Sequence, residues 1–157
     1  MVDAQSGHEK TLTGLLTALA GANLIYGAGM LDTAMTIDYG QLVLDAEFAE
    51  LIKYCVNGVP VSDATMALDV INEVGPFHDF LSHADTLRHM RIQSQPMLVD
   101  RRVREEWSAN GSTDIAERAT ARAREILATH VPTPLPEGAA AEMAAIIADA
   151  EAELGCA

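Results

Sequence analysis

The sequence predicts an α/β protein of which this chain holds mostly helices and one buried strand, near residues 22–28. Three observations carry this. The 157 residues are 49% apolar but only 4% aromatic, a mix that favours packed helices over sheets built from aromatic and β-branched residues. Apolar residues recur at helical spacing along most of the chain. One short run, Asn23-Leu24-Ile25-Tyr26, breaks that spacing and is closed by Gly27-Ala28-Gly29-Met30, the pattern of a buried strand feeding a loop.

Leu12, Leu15, Leu16 and Leu19 fall on one face, which predicts a helix over residues 7–20 ended by Gly21. Residues 24–28 are apolar on both sides, as in a parallel strand covered on both faces. Its backbone groups need partners on both edges. No second convincing strand is found, so its neighbours come from another polypeptide or from a longer parent chain. Helix, tight glycine turn, strand and glycine-rich loop make one unit of an α/β barrel, in which the loops after the strands carry the active site.

The remainder reads as helical. Asp38 and Gln41 form a D-x-x-Q variant of the capping box, opening a helix that buries Leu42, Ala46, Ala49, Ile52 and Val56 and stops at Asn57-Gly58. Ser62 or Asp63 caps a helix with Met66, Val70, Ile71 and Val74 inward, ended by Gly75-Pro76. A shorter helix covers residues 85–92. Val99, Val103 and Trp107 then repeat every four residues up to Asn110-Gly111. Thr113 caps a longer helix carrying Ile115, Ala119, Ala123, Ile126 and Leu127. Pro132, Pro134 and Pro136 make a stiff linker, and a final helix over residues 137–154 places Met143, Ile146, Ile147 and Ala150 on one stripe. There is no solenoid repeat.

Charge narrows the function. The formal net charge is −13, which phosphate backbones repel, so nucleic acid is set aside as a partner. Residues 88–124 hold eight of the ten basic residues and five acids, a local net of +3. That stretch is either an ion-paired helical surface or a docking patch for an acidic partner. Cys55 and Cys156 lie far apart and outside any C-x-x-C pair, so a reducing cytoplasm is expected. The sequence from Met1 shows no signal-peptide pattern, and no apolar run approaches the ~18 residues of a membrane span.

Candidate chemistry gathers at residues 21–32. Tyr26 lies near the strand end, where its hydroxyl could donate to a substrate, or it simply packs. Gly27 and Gly29 would let a ligand approach the backbone, or only allow the turn. They fall short of a G-x-G-x-x-G fingerprint because position 32 is Asp. His78, Asp79, His83, Asp85 and His89 are possible metal ligands, but His78 and His83 are not spaced i, i+4, so capping or surface roles are expected and no metal site is assigned. Asp3, Gln5, His8 and Glu9 stand at a helix start, where acids suit the helix dipole; in a barrel they would lie at its mouth. No nucleophile elbow, P-loop or paired catalytic carboxylates of recognisable spacing are present.

Several ordered motifs then add a resemblance. Asp3-Ala4-Gln5-Ser6-Gly7-His8-Glu9-Lys10 and Gly21-Ala22-Asn23-Leu24-Ile25-Tyr26-Gly27-Ala28-Gly29-Met30-Leu31 resemble the trimethylamine methyltransferase family. So do Leu68-Asp69-Val70-Ile71-Asn72-Glu73-Val74-Gly75-Pro76, Asp85-Thr86-Leu87-Arg88-His89-Met90-Arg91 and Leu98-Val99-Asp100-Arg101-Arg102, in the same order, covering residues 3–150. The resemblance implies a TIM barrel parent with helical additions, of which this chain is the C-terminal part. Residues 1–40 would be the last helix-strand-loop unit of the (β/α)8 barrel, 41–131 a helical C-terminal region, and 132–157 a Pro-rich linker with a terminal helix.

It also implies an activity. The family moves a methyl group from trimethylamine, or from quaternary amines in many members, to the cobalt of a corrinoid protein. The corrinoid (cobalamin) would be carried by that partner and not bound directly by this chain. The expected partners are a corrinoid protein, a small methylated amine, and either the upstream half of the barrel or further copies of the chain. Tyr26, Asn23, Gly27 and Gly29 are the expected substrate-side residues; many members have His at the position of Tyr26. No catalytic residue is assigned. The pyrrolysine position of archaeal members lies upstream, so an amber codon read as a stop, a split gene or a gene fragment would each yield such a chain. It is expected to be inactive alone. The alternative is a non-catalytic helical module that binds a corrinoid protein through residues 88–124.

Overall fold

A computed structural model describes residues 2–155; Cys156 lies outside the described residues. In order, the elements are α1 (Ala4–Leu19), β1 (Met30–Leu31), β2 (Thr36–Ile37), α2 (Tyr39–Val56), α3 (Asp63–Met66), α4 (Leu68–Val74), α5 (Ala84–His89), α6 (Arg104–Ala109), α7 (Ile115–Thr129) and α8 (Ala139–Leu154). The chain divides into two compact units, with the boundary between Glu125 and Ile126.

Helix ends follow local chemistry. Asp3 caps α1 and exchanges hydrogen bonds with Ser6 in a reciprocal box, so the helix starts three residues before the expected position. Gly21, at φ +87°, follows its last turn. The Asp38 carboxylate accepts from the Gln41 amide at 2.7 Å. The Gln41 side chain turns to Asp45, while the Asp38 amide donates to the Gly29 carbonyl at 2.9 Å. Ser62 caps α3 with Thr65. The expected single helix through Val74 is two pieces, because Ala67 is left-handed at φ 50° and interrupts the ladder. Asp114 and Glu117 bond reciprocally at 2.9 and 2.8 Å, so the cap of α7 is Asp114 and not Thr113.

Two further expectations are corrected. Residues 22–28 form no strand and are largely exposed, with Leu24 at 81% and Tyr26 at 86%. A strand needs ladder partners, and the described residues supply none there. The strands present form a short antiparallel hairpin just beyond, with Met30 opposite Ile37 and Leu31 opposite Thr36. Its loop takes Asp32, Thr33 and Ala34 through left-handed φ of 51, 53 and 68°, a turn no glycine announced. Residues 99–103, expected to be helical, form a loop; at its start the Glu47 carboxylate accepts from the amides of Met97, Leu98 and Val99 at 2.7, 2.6 and 2.7 Å.

The core of the first unit is small. Leu44, Leu98 and Ala119 are buried together, with Val43, Phe48 and Ile115 against them. Glycines allow close approach of α1 to α2 and of α2 to α7. A methyl group at Gly14 would meet Ile52 at 2.9 Å, and one at Gly40 would meet Thr120 of α7 at 2.9 Å. Of the apolar stripes expected to face inward, Leu15 and Ile52 are half-buried and most of the rest faces out. Leu12 and Leu16 each stand two positions from Gly14, about 200° around the axis of α1 at roughly 100° per residue. Leu12, Leu16 and Leu19 are accordingly 46, 58 and 60% exposed. Leu42 and Val56 of α2 are likewise exposed, and Ala46 and Ala49 with them.

Candidate functional site

The loop that follows residues 22–26 is fixed from beneath. Asp45, on the second turn of α2, accepts from Lys10 Nζ of α1 at 2.6 Å and from the Gly29 amide at 2.8 Å, both on Oδ2. Its Oδ1 accepts from Gln41 Nε2 at 2.6 Å. Lys10 Nζ also donates to the Gly27 carbonyl at 3.2 Å. The side chains of Lys10 and Asp45 are 22% and 9% exposed, and Gln41 is fully buried. This is a partly buried, charge-assisted network, stronger than a fully exposed ion pair. Gln41 Oε1 is buried without a protein partner.

Gly27 and Gly29 are at φ +104° and +78°, the region glycine enters freely. At Gly29 an added Cβ would stand 3.0 Å from Leu42 Cβ and 3.3 Å from the Asp38 carbonyl. The structure thus brings Gly27 and Gly29 together with Lys10, Asp45 and Gln41. Asn23 and Tyr26 stand exposed at the rim. Sequence reasoning missed the three clamp residues; the i, i+4 spacing of Gln41 and Asp45 was the available signal.

Other candidates have structural occupations. His83 caps α5, accepting from the Asp85 amide at 3.1 Å, and its Nε2 is 3.5 Å from Glu73. His89 lies 3.0 Å from the Asp85 carboxylate. Asp79 accepts from the Leu81 amide at 2.9 Å. Among the described residues no group of three or more His, Cys, Asp or Glu is placed to hold a metal ion. Gln5 bonds to Glu9 at 2.9 Å.

The arginines of 88–124 are largely engaged within the chain. Arg88 pairs with Asp85 at 3.4 Å and Arg122 with Glu125 at 2.7 Å. Arg101 donates to Ser94 Oγ and its carbonyl, each at 2.8 Å. Arg118 donates to the Leu98 carbonyl at 2.9 Å and to the Thr113 carbonyl. Arg102 forks onto Asp100 at 2.9 and 2.6 Å. The Arg102 side-chain bonds, followed by the bond from its backbone amide, lower the Asp100 pKa from 3.8 to about 2. Two concavities, of about 690 and 720 Å³, flank residues 93–98; none of the residues 23–29 lines either.

Fold and loop together define a predominantly helical segment that presents a clamped glycine loop outside its own core. The chain belongs to the trimethylamine methyltransferase family: the family described as Trimethylamine methyltransferase (MTTB) matches residues 1–155. It is 52% identical over 155 residues to the trimethylamine methyltransferase MttB of Desulfitobacterium hafniense, covering 99% of this chain and 31% of that protein. It is 43% identical over 149 residues to trimethylamine methyltransferase MttB2 of Methanosarcina mazei, covering 95% and 30%. A glycine betaine methyltransferase of Desulfitobacterium hafniense is 35% identical over 156 residues, covering 98% and 32%. The chain thus spans about a third of the length of the curated relatives it matches. No helix among the described residues is long and apolar enough to cross a membrane.

Proposed function

We propose that the chain is the C-terminal part of a methyltransferase that moves a methyl group from trimethylamine or a related methylated amine to a corrinoid protein. It acts only when the strands of an upstream TIM barrel cover it. The observation that carries this is the outward apolar surface: Leu12, Leu16 and Leu19 of α1 and Leu24 and Ile25 of residues 22–28 are 46 to 81% exposed. Covering each is worth about 1 kcal/mol or more, so a partner surface would gain several kcal/mol. The family match, the fractional coverage of the relatives and the substrates in their names point the same way.

Within that reading the partner's corrinoid supplies the nucleophile that receives the methyl group. Residues 23–29 contain no His or Cys to ligate cobalt, so they fit the amine better than the metal. The exposed ring of Tyr26 offers a π face to a methylated ammonium, an attraction of about 0.5–2 kcal/mol, and Asn23 offers an amide. Gly27 and Gly29 shape the loop. The second reading, docking through residues 88–124, loses ground because most arginines there already have partners in the chain.

The test combines the chain with the upstream part of the Desulfitobacterium hafniense relative and assays demethylation of trimethylamine in the presence of a corrinoid protein. Methyl transfer is expected from the pair and not from the chain alone. Transfer by the chain alone, or an associated and folded pair that demethylates neither trimethylamine nor glycine betaine, contradicts the proposal.

A further inference from the structure

We propose that Lys10, Asp45 and Gln41 are positioning residues that set the conformation of loop 27–29 and, through it, the presentation of Tyr26. This rests on the reading of Tyr26 as a substrate-side contact. The two glycines leave the loop backbone many conformations, and the clamp selects one. Lys10 Nζ holds the Gly27 carbonyl at 3.2 Å, and Asp45 Oδ2 holds the Gly29 amide at 2.8 Å. Those groups belong to the two peptide units flanking Ala28, so each end of one ion pair fixes one peptide plane. Gln41, fully buried, ties the other carboxylate oxygen at 2.6 Å and stops the carboxylate from turning away.

The polarity of the pair is therefore functional. A simple staple between α1 and α2 would work with the charges in either order. The clamp works in one order only, because an ammonium cannot accept from the Gly29 amide and a carboxylate cannot donate to the Gly27 carbonyl. An exchange of the two charges separates these roles.

The experiment follows hydrogen exchange of the Gly29 amide in the full chain combined with the upstream part of the relative, in parallel with the thermal midpoint and the KM and kcat for trimethylamine. The variants are Asp45→Asn and the double exchange Lys10→Asp with Asp45→Lys. In Asp45→Asn the Gly29 amide is expected to exchange about tenfold faster, through loss of a charge-assisted bond. The double exchange is expected to recover much of the thermal midpoint while Gly29 stays unprotected and kcat/KM for the amine stays low. Unchanged Gly29 protection in Asp45→Asn, or protection restored by the double exchange, overturns the proposal. The isosteric single variant decides by itself if the double exchange does not fold. Amide exchange needs no methyl transfer, so these results stand apart from the success or failure of the proposed activity.

Discussion

Replacing Gly29 by alanine is expected to destabilise the chain by about 2–5 kcal/mol. Two costs add. The backbone stands at φ +78°, where an L side chain is strained by about 1–2 kcal/mol. The new Cβ would also press on Leu42 Cβ at 3.0 Å and on the Asp38 carbonyl at 3.3 Å. Both belong to the start of α2 and neither is the free end of a flexible side chain, so relief requires a backbone shift of about 1–3 kcal/mol. Gly58→Ala is the control: its φ is +68° and nothing lies within 4 Å of the added methyl, so only the strain should appear, about 1 kcal/mol. Urea unfolding followed by circular dichroism at a fixed protein concentration measures both. Equal losses at the two sites would show that the close approach of Gly29 to α2 is wrong.

Glu47→Ala is expected to cost about 3 kcal/mol and to release residues 94–103 from α2. One carboxylate satisfies three successive amides, at 2.7, 2.6 and 2.7 Å. Leu98 is 8% exposed, so its amide has little access to water once the carboxylate is gone, and an unpaired buried donor costs about 1–3 kcal/mol. Val99 loses a bond to a charged acceptor as well. Glu47→Gln keeps an acceptor but turns a donor toward one of the amides, and should lose about half as much. The Trp107 indole donates to the Thr113 carbonyl at 2.9 Å. Arg118, which donates to the same carbonyl, also holds the Leu98 carbonyl, so Trp107 fluorescence reports on the loop. An unchanged unfolding midpoint for Glu47→Ala would show that the carboxylate does not hold this segment.

The legible parts of the sequence were those governed by local chemistry. Asp38 and Ser62 cap their helices, and Gly21, Gly58 and Gly75 close theirs, because caps and left-handed glycines act over a few residues. The inward faces were legible in part: Ile115, Ala119 and Ala123 of α7 lie on its buried side as their spacing implied, whereas much of the expected stripes of α1 and α2 is exposed. Periodicity marks the widest apolar stripe of a helix, and in α1 and α2 most of that stripe is exposed, with Ile52 meeting α1 at Gly14. Nothing in a single helix says which of two faces its own chain will cover. The hairpin escaped notice because its strands are two residues each and its left-handed turn uses Asp32, Thr33 and Ala34.

The same division holds at the site. Gly27 and Gly29 stood out because glycines after an apolar run have a known conformational meaning. Lys10 and Asp45 did not, since they reach the loop across 17 and 16 residues of chain and no spacing rule links them. Tyr26 was visible as a residue, but its surroundings were not: at 86% exposure it takes its meaning from whatever covers residues 22–28.

Amide hydrogen exchange at residues 24–28, with and without the upstream part of the relative, tests that cover most directly. Rapid exchange is expected in the chain alone and strong protection in the assembled pair, where the upstream strands supply the backbone partners that let this segment pair. Rapid exchange at those amides in an assembled pair that transfers methyl groups would contradict the role given to the upstream strands.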